Sequence, residues 1–401
     1  MISTTPYFAP RVVHPHQPQR GFTLIELMIS MMVGLLVLLA LLTLFVNVNR
    51  NNNEFAKTNI LIENGRFAVQ LLESDLIHAG FWGGHIPDFD NLAKTGAPAD
   101  VPTAIPDPCL EYNFANWDSA YRTNLLGIAV QTYDAATVCA PILADKLANT
   151  DVLVVRHANT CVPGEPNCEA NIPGNLYFQK SNCTTDPSAY VFDTAGHTRN
   201  NRDCATTAGM RKFISNIYYI RDYAVTAGDG IPTLMRAEFD LAGGTLAHQT
   251  AVPMIEGIEG FQVELGIDDV SKTGRSLYEL PFYDPAIPTN AYDDEVEWDD
   301  DSDKTTPKNR GDGTADDYDG DGNTFIHCTT ATPCTVDQLM NVVTVKLHVL
   351  ARALEPTQGH TDAKTYTLGS TTLGPFNDKF KRHIFSTTVR MHNISGRRET
   401  P

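Results

Sequence analysis

Basic residues are scarce in this chain. Its 401 residues include 30 lysines and arginines against 48 aspartates and glutamates, a formal net charge of −18. Nucleic-acid phosphates repel such a chain unless it concentrates a basic patch. The basic clusters are short ones, at Lys379, Lys381, Arg382 and at Arg397, Arg398. Nucleic acid is therefore not an expected partner, whereas a cation is a natural one. Catalytic signatures are missing too. There is no His-Glu-x-x-His, no Gly-x-Ser-x-Gly and no glycine-rich phosphate loop with lysine. The twelve histidines are scattered, with His14 and His16 near the start and His157, His248, His348 and His383 in or beside strand patterns. No enzymatic activity is expected. No internal repeat is visible. With 42% apolar and 19% charged residues the chain is neither a collagen, a coiled-coil rod nor wholly disordered. It suits one large domain or two small ones.

Cysteine is absent from the first hundred residues. Eight follow, at Cys109, Cys139, Cys161, Cys168, Cys183, Cys204, Cys328 and Cys334. An even number in an oxidising compartment reads as up to four disulfides. Three pairs are close in sequence (161 and 168, 183 and 204, 328 and 334), so local pairing is the simplest arrangement, but the connectivity stays open. Zinc is the rival reading. It is weak because there is no Cys-x-x-Cys and His327-Cys328 has no matching second pair.

What the N-terminus has is a long apolar run. Residues 1–20 carry Pro6, Pro10, Pro15, Pro18, Arg11 and Arg20 and no acid, which excludes a helix of any length. Residues 22–46 are almost uniformly apolar and would span about 37 Å as a helix, enough to cross a bilayer with some tilt. Positive charge before the span predicts a cytoplasmic N-terminus. The run is longer than the apolar core of a secretory signal. Glu26 interrupts it. A carboxylate inside a membrane helix costs a few kcal/mol, of the order of ~3, unless it finds a partner or neutralises. Glu26 either snorkels to the headgroups or awaits a cation from another chain.

The run Arg20-Gly21-Phe22-Thr23-Leu24-Ile25-Glu26 resembles the class III signal of type IV prepilins and pseudopilins. The resemblance implies cleavage between Gly21 and Phe22 by a prepilin peptidase, N-methylation of Phe22, and pairing of Glu26 with the amine of a neighbouring subunit. Glu26 would then set axial register in the helix bundle more than raw stability, because desolvation cancels much of the Coulomb gain. After the span comes Asn47-Val48-Asn49-Arg50-Asn51-Asn52-Asn53, a poor helix former. No proline follows until Pro87. Phe55, Ile62, Val69 and Leu76 recur every seven residues, with Thr58, Gly65, Leu72 and Ala79 between them. This stripe predicts one long helix from about 22 to about 79, ended by the glycines of Gly80-Phe81-Trp82-Gly83-Gly84.

The stretch FAVQLLESDLIHAGFWGG is similar to the PilW family of minor pilins, large type IV pilus assembly proteins. So are residues 254–268, 341–354 and 379–393. The expected fold is α+β and pilin-like: a long N-terminal helix, transmembrane then amphipathic, packed on an antiparallel β-sheet head with long disulfide-stapled loops. The expected segments are a leader 1–21, a filament-core helix 22–46, an amphipathic extension 47–84 and an extracytoplasmic head 85–401. Strands are expected over 151–156, 213–222, 233–239, 257–267, 342–350 and 383–391. In the fifth, Val342, Thr344, Lys346 and His348 would face away from the core. Residues 86–145 and 157–210, rich in Pro, Asn, Thr and Cys, read as loops.

The resemblance implies a single-pass inner-membrane protein with a periplasmic head. It would join the pilus fibre near its tip, with other minor pilins, the major pilin and a tip adhesin as partners. Two alternatives share parts of the sequence: a minor pseudopilin of type II secretion, and a non-assembling, calcium-binding surface protein.

One segment stands apart. Residues 293–321 hold 13 acids and 3 bases, half of the −20 that would remain once the leader arginines are gone. In this insert (293–323) Asp317, Asp319, Asp321 and Gly322 match the first positions of a calcium loop, and Asp312, Asp316 and Asn323 are further candidate ligands. The twelfth position is Cys328 where a bidentate Glu is needed, so calcium competes with a plain solvated acidic loop. Arg310-Gly311-Asp312 is too short to argue adhesion from.

Overall fold

The computed structural model describes residues 21–135, 139–140, 142–277, 292, 294–317 and 322–399. Residues 1–20 of the expected leader (1–21) and the candidate ligands Asp319 and Asp321, with Asp293, lie outside them. Two compact units emerge, 1–56 and 57–401.

Helix α1 runs Leu24–Leu76, 53 residues without a break at the asparagine run. In the first unit its apolar side chains, from Leu24 and Ile25 to Phe45 and Val46, are exposed. The stretch is long and apolar enough to cross a membrane. The second unit contains, in chain order, α2 (Ser119–Gly127), β1 (Val130–Tyr133), β2 (Val152–Ala158), β3 (Tyr177–Lys180), β4 (Tyr190–Asp193), β5 (Met210–Arg221), β6 (Thr233–Ala242), β7 (Thr245–His248), β8 (Val252–Glu256), β9 (Ile258–Ile267), β10 (Phe325–Ile326), α3 (Val336–Met340), β11 (Val342–Arg352), β12 (Tyr366–Leu368), β13 (Thr371–Leu373), β14 (Arg382–Arg390) and α4 (His392–Arg398). The fold is α+β, and every strand pair is antiparallel.

All six expected strands form, within a few residues of the expected ends. The long strand β5 organises the first sheet. Its start pairs with β3, its middle with β2 and its end with β6. The second sheet has the order β10-β9-β11-β14, and β12-β13 is a separate hairpin. The stretches read as loops contain α2, β1, β3 and β4. Strands of four residues are too short to show a period of two, and they exist because β5 and β2 offer ladder partners.

Within the second unit α1 buries Leu61, Gly65, Ala68, Leu72 and Leu76, while Ile62 and Val69 are only partly covered. Gly65, Leu72, Leu76 and Ala79 are thus buried as the stripe expects, Leu61 and Ala68 take the places of Ile62 and Val69, and Phe55 is exposed. Burial follows 3.6 residues per turn, with no second helix to impose a heptad. The stripe packs with Phe261, Val263, Leu265, Val345, Leu347 and Val349 of the second sheet. Asp75 latches the helix to the first sheet, accepting from His157 Nε2 (3.0 Å), Asn216 Nδ2 (2.9 Å) and Tyr218 OH (3.0 Å). The glycines end the helix as expected: Gly80, Gly83 and Gly84 all have positive φ.

Gly65 is required by a close approach. A Cβ there would lie 2.0 Å from the Phe385 ring. A mid-helix Gly→Ala change normally stabilises by about 1 kcal/mol. Here overpacking wins, and Gly65→Ala should destabilise the head by about 1–3 kcal/mol. Adding Phe385→Ala should recover part of that loss. Thermal melts of the four variants of this cycle check it, and a Gly65→Ala chain that melts higher than wild type refutes the contact.

One facing prediction fails. His348 is buried, with Nε2 3.2 Å from Glu264 Oε2 and Nδ1 2.8 Å from Ser386 Oγ. Val342 is buried as well. The hairpin covers the later part of this face, where Tyr366 and Leu368 pack on Leu350.

Candidate functional site

The N-terminal signal begins as irregular, exposed chain. Gly21, Phe22 and Thr23 precede the helix and are open to solvent. The first turn is closed by a reciprocal cap. Thr23 Oγ1 accepts from the Glu26 backbone N–H at 3.3 Å, and Glu26 Oε2 accepts from Thr23 N–H at 3.0 Å. The Thr23 hydroxyl donates to the same Oε2 at 2.9 Å. This is a capping box, and it satisfies donors that a helix start would otherwise leave bare. The signal Thr-x-x-Glu was visible in the sequence but was read only for its charge. Both bonds use one carboxylate oxygen, so Oε1 is left for another partner.

The acidic insert is anchored rather than free. Asp268, buried at the end of the second sheet, accepts from the N–H of Asp312 (2.9 Å) and of Gly313 (2.9 Å). Gly311 lies so close that a Cβ would come within 2.1 Å of the Asp268 carboxylate. Asp316 Oδ2 accepts from the N–H of Asp269 (3.0 Å) and of Val270 (2.8 Å). Burial, together with the charges of Asp268, Asp312 and Asp269, pushes its carboxyl up to about 7. Asp312 Oδ1 accepts from Thr314 N–H and Asp317 Oδ2 from Gly322 N–H. These carboxylates therefore serve backbone amides. Among the described residues no three metal-ligating side chains converge, so calcium gains no support there. Arg310 is buried, which withdraws the Arg-Gly-Asp tripeptide from the surface.

Behind the insert sits a buried ion network. Arg398 of α4 reaches Asp90 Oδ1 at 2.8 Å and Asp268 Oδ2 at 3.1 Å, and donates to the Met340 carbonyl. Arg397 completes Asp90 at 3.3 Å. Burial pushes Asp268 up to about 6 against the pull of Arg398, while Asp90 leads the charges that hold Arg398 cationic against its own burial. The C-terminal helix is thus clamped to the early loop and to the insert.

The eight cysteines form four disulfides: Cys109–Cys139, Cys161–Cys168, Cys183–Cys204 and Cys328–Cys334. The last closes a short loop at the exit of the insert.

One constellation has the bond pattern of a nucleophile. Ser370 Oγ lies 3.0 Å from His327 Nδ1, and His327 Nε2 lies 2.9 Å from Asp151 Oδ2. The chemistry does not follow. The Ser370 N–H, which would have to stabilise an oxyanion, donates to Glu264 Oε1 at 2.8 Å. A carboxylate there opposes the developing charge. The group instead joins three sheets, since Asp151 also accepts from Val263 N–H at 2.7 Å.

The profile of the family described as Type IV Pilus-assembly protein W matches residues 217–393. A second, the prokaryotic N-terminal methylation motif, matches residues 17–42. Together the two matches support a type IV pilus protein similar to PilW. No curated protein sequence matches it. Among solved structures it is similar to a type IV-like pilin from Thermus thermophilus, with 11% identity, 83% of this chain and 98% of that chain covered, and a TM-score of 0.30. The PilW match takes in the end of β5 and the chain from there to the end of β14, including the Gly65 partner Phe385 and the anchoring residue Asp268. The methylation motif takes in Gly21, Phe22 and the Thr23–Glu26 cap. Residues 43–216, with α2, the strands β1 to β4 and three of the disulfides, fall between the two matches.

Proposed function

We propose that the chain is a minor pilin that helps initiate type IV pilus assembly near the fibre tip. Its segments are a leader (1–21), a membrane and filament-core helix (22–46), an amphipathic extension (47–84) and a head (85–401). Prepilin peptidase cuts between Gly21 and Phe22 and methylates Phe22. The head stays outside the inner membrane while the apolar helix leaves the bilayer to join a bundle with other pilins. Glu26 then pairs with the amine of a neighbouring subunit and fixes register.

One observation supports this most. At the start of an uncovered apolar helix, Glu26 is held by Thr23 through a single oxygen. A carboxylate pre-oriented in this way offers Oε1 to a cation without giving up its cap. The size and acidity of the head fit a fibre end better than a repeating shaft.

Mass spectrometry of sheared fibres and of membranes tests the reading. A chain beginning at N-methylated Phe22, in trace amounts in fibres, is expected. A processed chain confined to membranes would favour a pseudopilin of type II secretion. Residues 1–21 still attached would make it a plain membrane anchor.

A further inference from the structure

Between α2 and β4 the head holds a cavity of about 620 Å³, inside the range of small-ligand pockets, about 300–1,000 Å³. Its lining is of two kinds. Phe114, Trp117, Tyr190 and Phe192 supply aromatic surface, and Asp118, Ser119, Arg122, Thr123 and Asp193 supply polar groups. The rings of Trp117 and Phe192, 6.1 Å apart, are buried, so the accessible aromatic surface is that of Phe114 and the half-buried Tyr190. Phe114 is 82% exposed and presents its ring at the mouth of this lining. The Trp117 indole N–H is buried and has no acceptor among the described residues. A buried donor left bare is costly and calls for an explanation.

The polar groups are fixed before any ligand arrives. Arg122 gives Nη1 to Asp193 Oδ2 at 3.0 Å and Nε to the Trp117 carbonyl at 2.8 Å. Tyr112 OH donates to Asp193 Oδ1 at 2.6 Å. Asp118 caps α2 through Tyr121 N–H at 2.8 Å. Two carboxylates and one guanidinium leave the pocket with a net negative charge, in a chain that is itself strongly acidic. An anionic ligand is disfavoured. An aromatic wall facing hydroxyls, carboxylates and a guanidinium suits a ring with one C–H face and many hydroxyls. The C–H face stacks on the aromatic rings, and the hydroxyls donate to Asp and accept from Arg.

We propose that this cavity binds a neutral sugar ring, as a unit of a glycan. All its lining residues fall outside the segment that matches the PilW family, so this property would belong to the stretch between the two matched segments.

The test uses the full-length chain in a detergent without a sugar headgroup. Methyl glycosides of glucose, galactose, mannose and N-acetylglucosamine are titrated by saturation-transfer NMR. At least one should bind saturably. Phe114→Ala, which removes an exposed ring, should weaken that binding about tenfold or more, roughly what a lost aromatic contact does. Arg122→Gln should do the same, and matching melts exclude unfolding as the cause. The proposal falls if no glycoside saturates, or if both variants bind as wild type does. It also falls if no sugar binds and a photo-cross-linker at position 114 captures another subunit in fibres, which would make the cavity a subunit contact. Binding is read on purified chain, so its failure is separate from any failure of leader processing or assembly.

Discussion

Glu26→Ala should leave leader cleavage intact and reduce surface fibres about tenfold or more, the scale expected when one partner of a desolvated ion pair is removed. Cleavage survives because the peptidase meets Gly21 and Phe22, which are exposed and precede the helix. Assembly fails because the neighbouring amine is left without its anion. Alanine also deletes the cap, so the substitution alone mixes two roles. Glu26→Gln separates them. Glutamine at this position of a capping box still reaches back to the Thr23 N–H, and it carries no charge. If pairing is the role, glutamine fails as alanine does. If helix initiation is the role, glutamine restores fibres, and Thr23→Val, which removes the hydroxyl from the same box, lowers them. Immunoblots of processed chain and of sheared fibres in the four strains distinguish these results. Normal fibres in Glu26→Ala would end the register reading.

The sequence carried the long helix, its glycine stop and all six long strands because each of those signals is local. The apolar run has no proline, Gly80 can adopt positive φ, and β5 and β11 are long enough to show strand composition. The exchange of Ile62 and Val69 for Leu61 and Ala68 within the buried stripe was not legible. A spacing of seven fits both the 62/69 and the 61/68 rows, and only the packing against the second sheet separates them. Strands β3 and β4 were hidden for the same reason, since four residues pair only if a distant partner exists. His348 was misplaced because the hairpin that covers it lies outside its own strand. The methylation motif around Gly21, Phe22 and Glu26 was legible in the sequence, while the use of Glu26 as a cap needed the geometry. The acidic insert was ambiguous in the sequence for a definite reason. Aspartates with calcium spacing look alike whether they hold a cation or backbone amides; of the candidates, Asp312, Asp316 and Asp317 accept from amides, while Asp319 and Asp321 lie outside the described residues.

Arg398→Met should destabilise the head by about 3–5 kcal/mol, the range for stranding a buried counter-ion. The side chain is 2% exposed and bridges Asp90 and Asp268, which are 3% and 0% exposed. Asp90 keeps Arg397, so most of the loss falls on Asp268, which would retain only the amides of Asp312 and Gly313. The loss should therefore depend on pH. Asp268 and Asp316 are raised in the folded chain from 3.8 to about 6 and about 7. Between their unfolded and folded values the native state binds more protons than the unfolded one. Their contribution is complete below about pH 4 and is lost as pH rises through about 6 to 7.

Wild type should accordingly melt higher at pH 5 than at pH 8, and Arg398→Met should show a steeper fall, because Asp268 without its cation is harder still to ionise. Asp316→Asn should do the opposite. Asparagine keeps an acceptor for the Asp269 and Val270 amides and cannot ionise. A shift of about three units corresponds to about 4 kcal/mol. Asp316 is only half-buried, so solvent screening brings the expected gain at pH 8 to about 2 kcal/mol. At pH 4 the variant and wild type should melt together. Melting curves at pH 4, 5 and 8 for the three chains decide it. If Asp316→Asn gives no gain at pH 8, the insert is not held by a protonated carboxyl. If Arg398→Met melts like wild type at every pH, the C-terminal helix does not clamp the head.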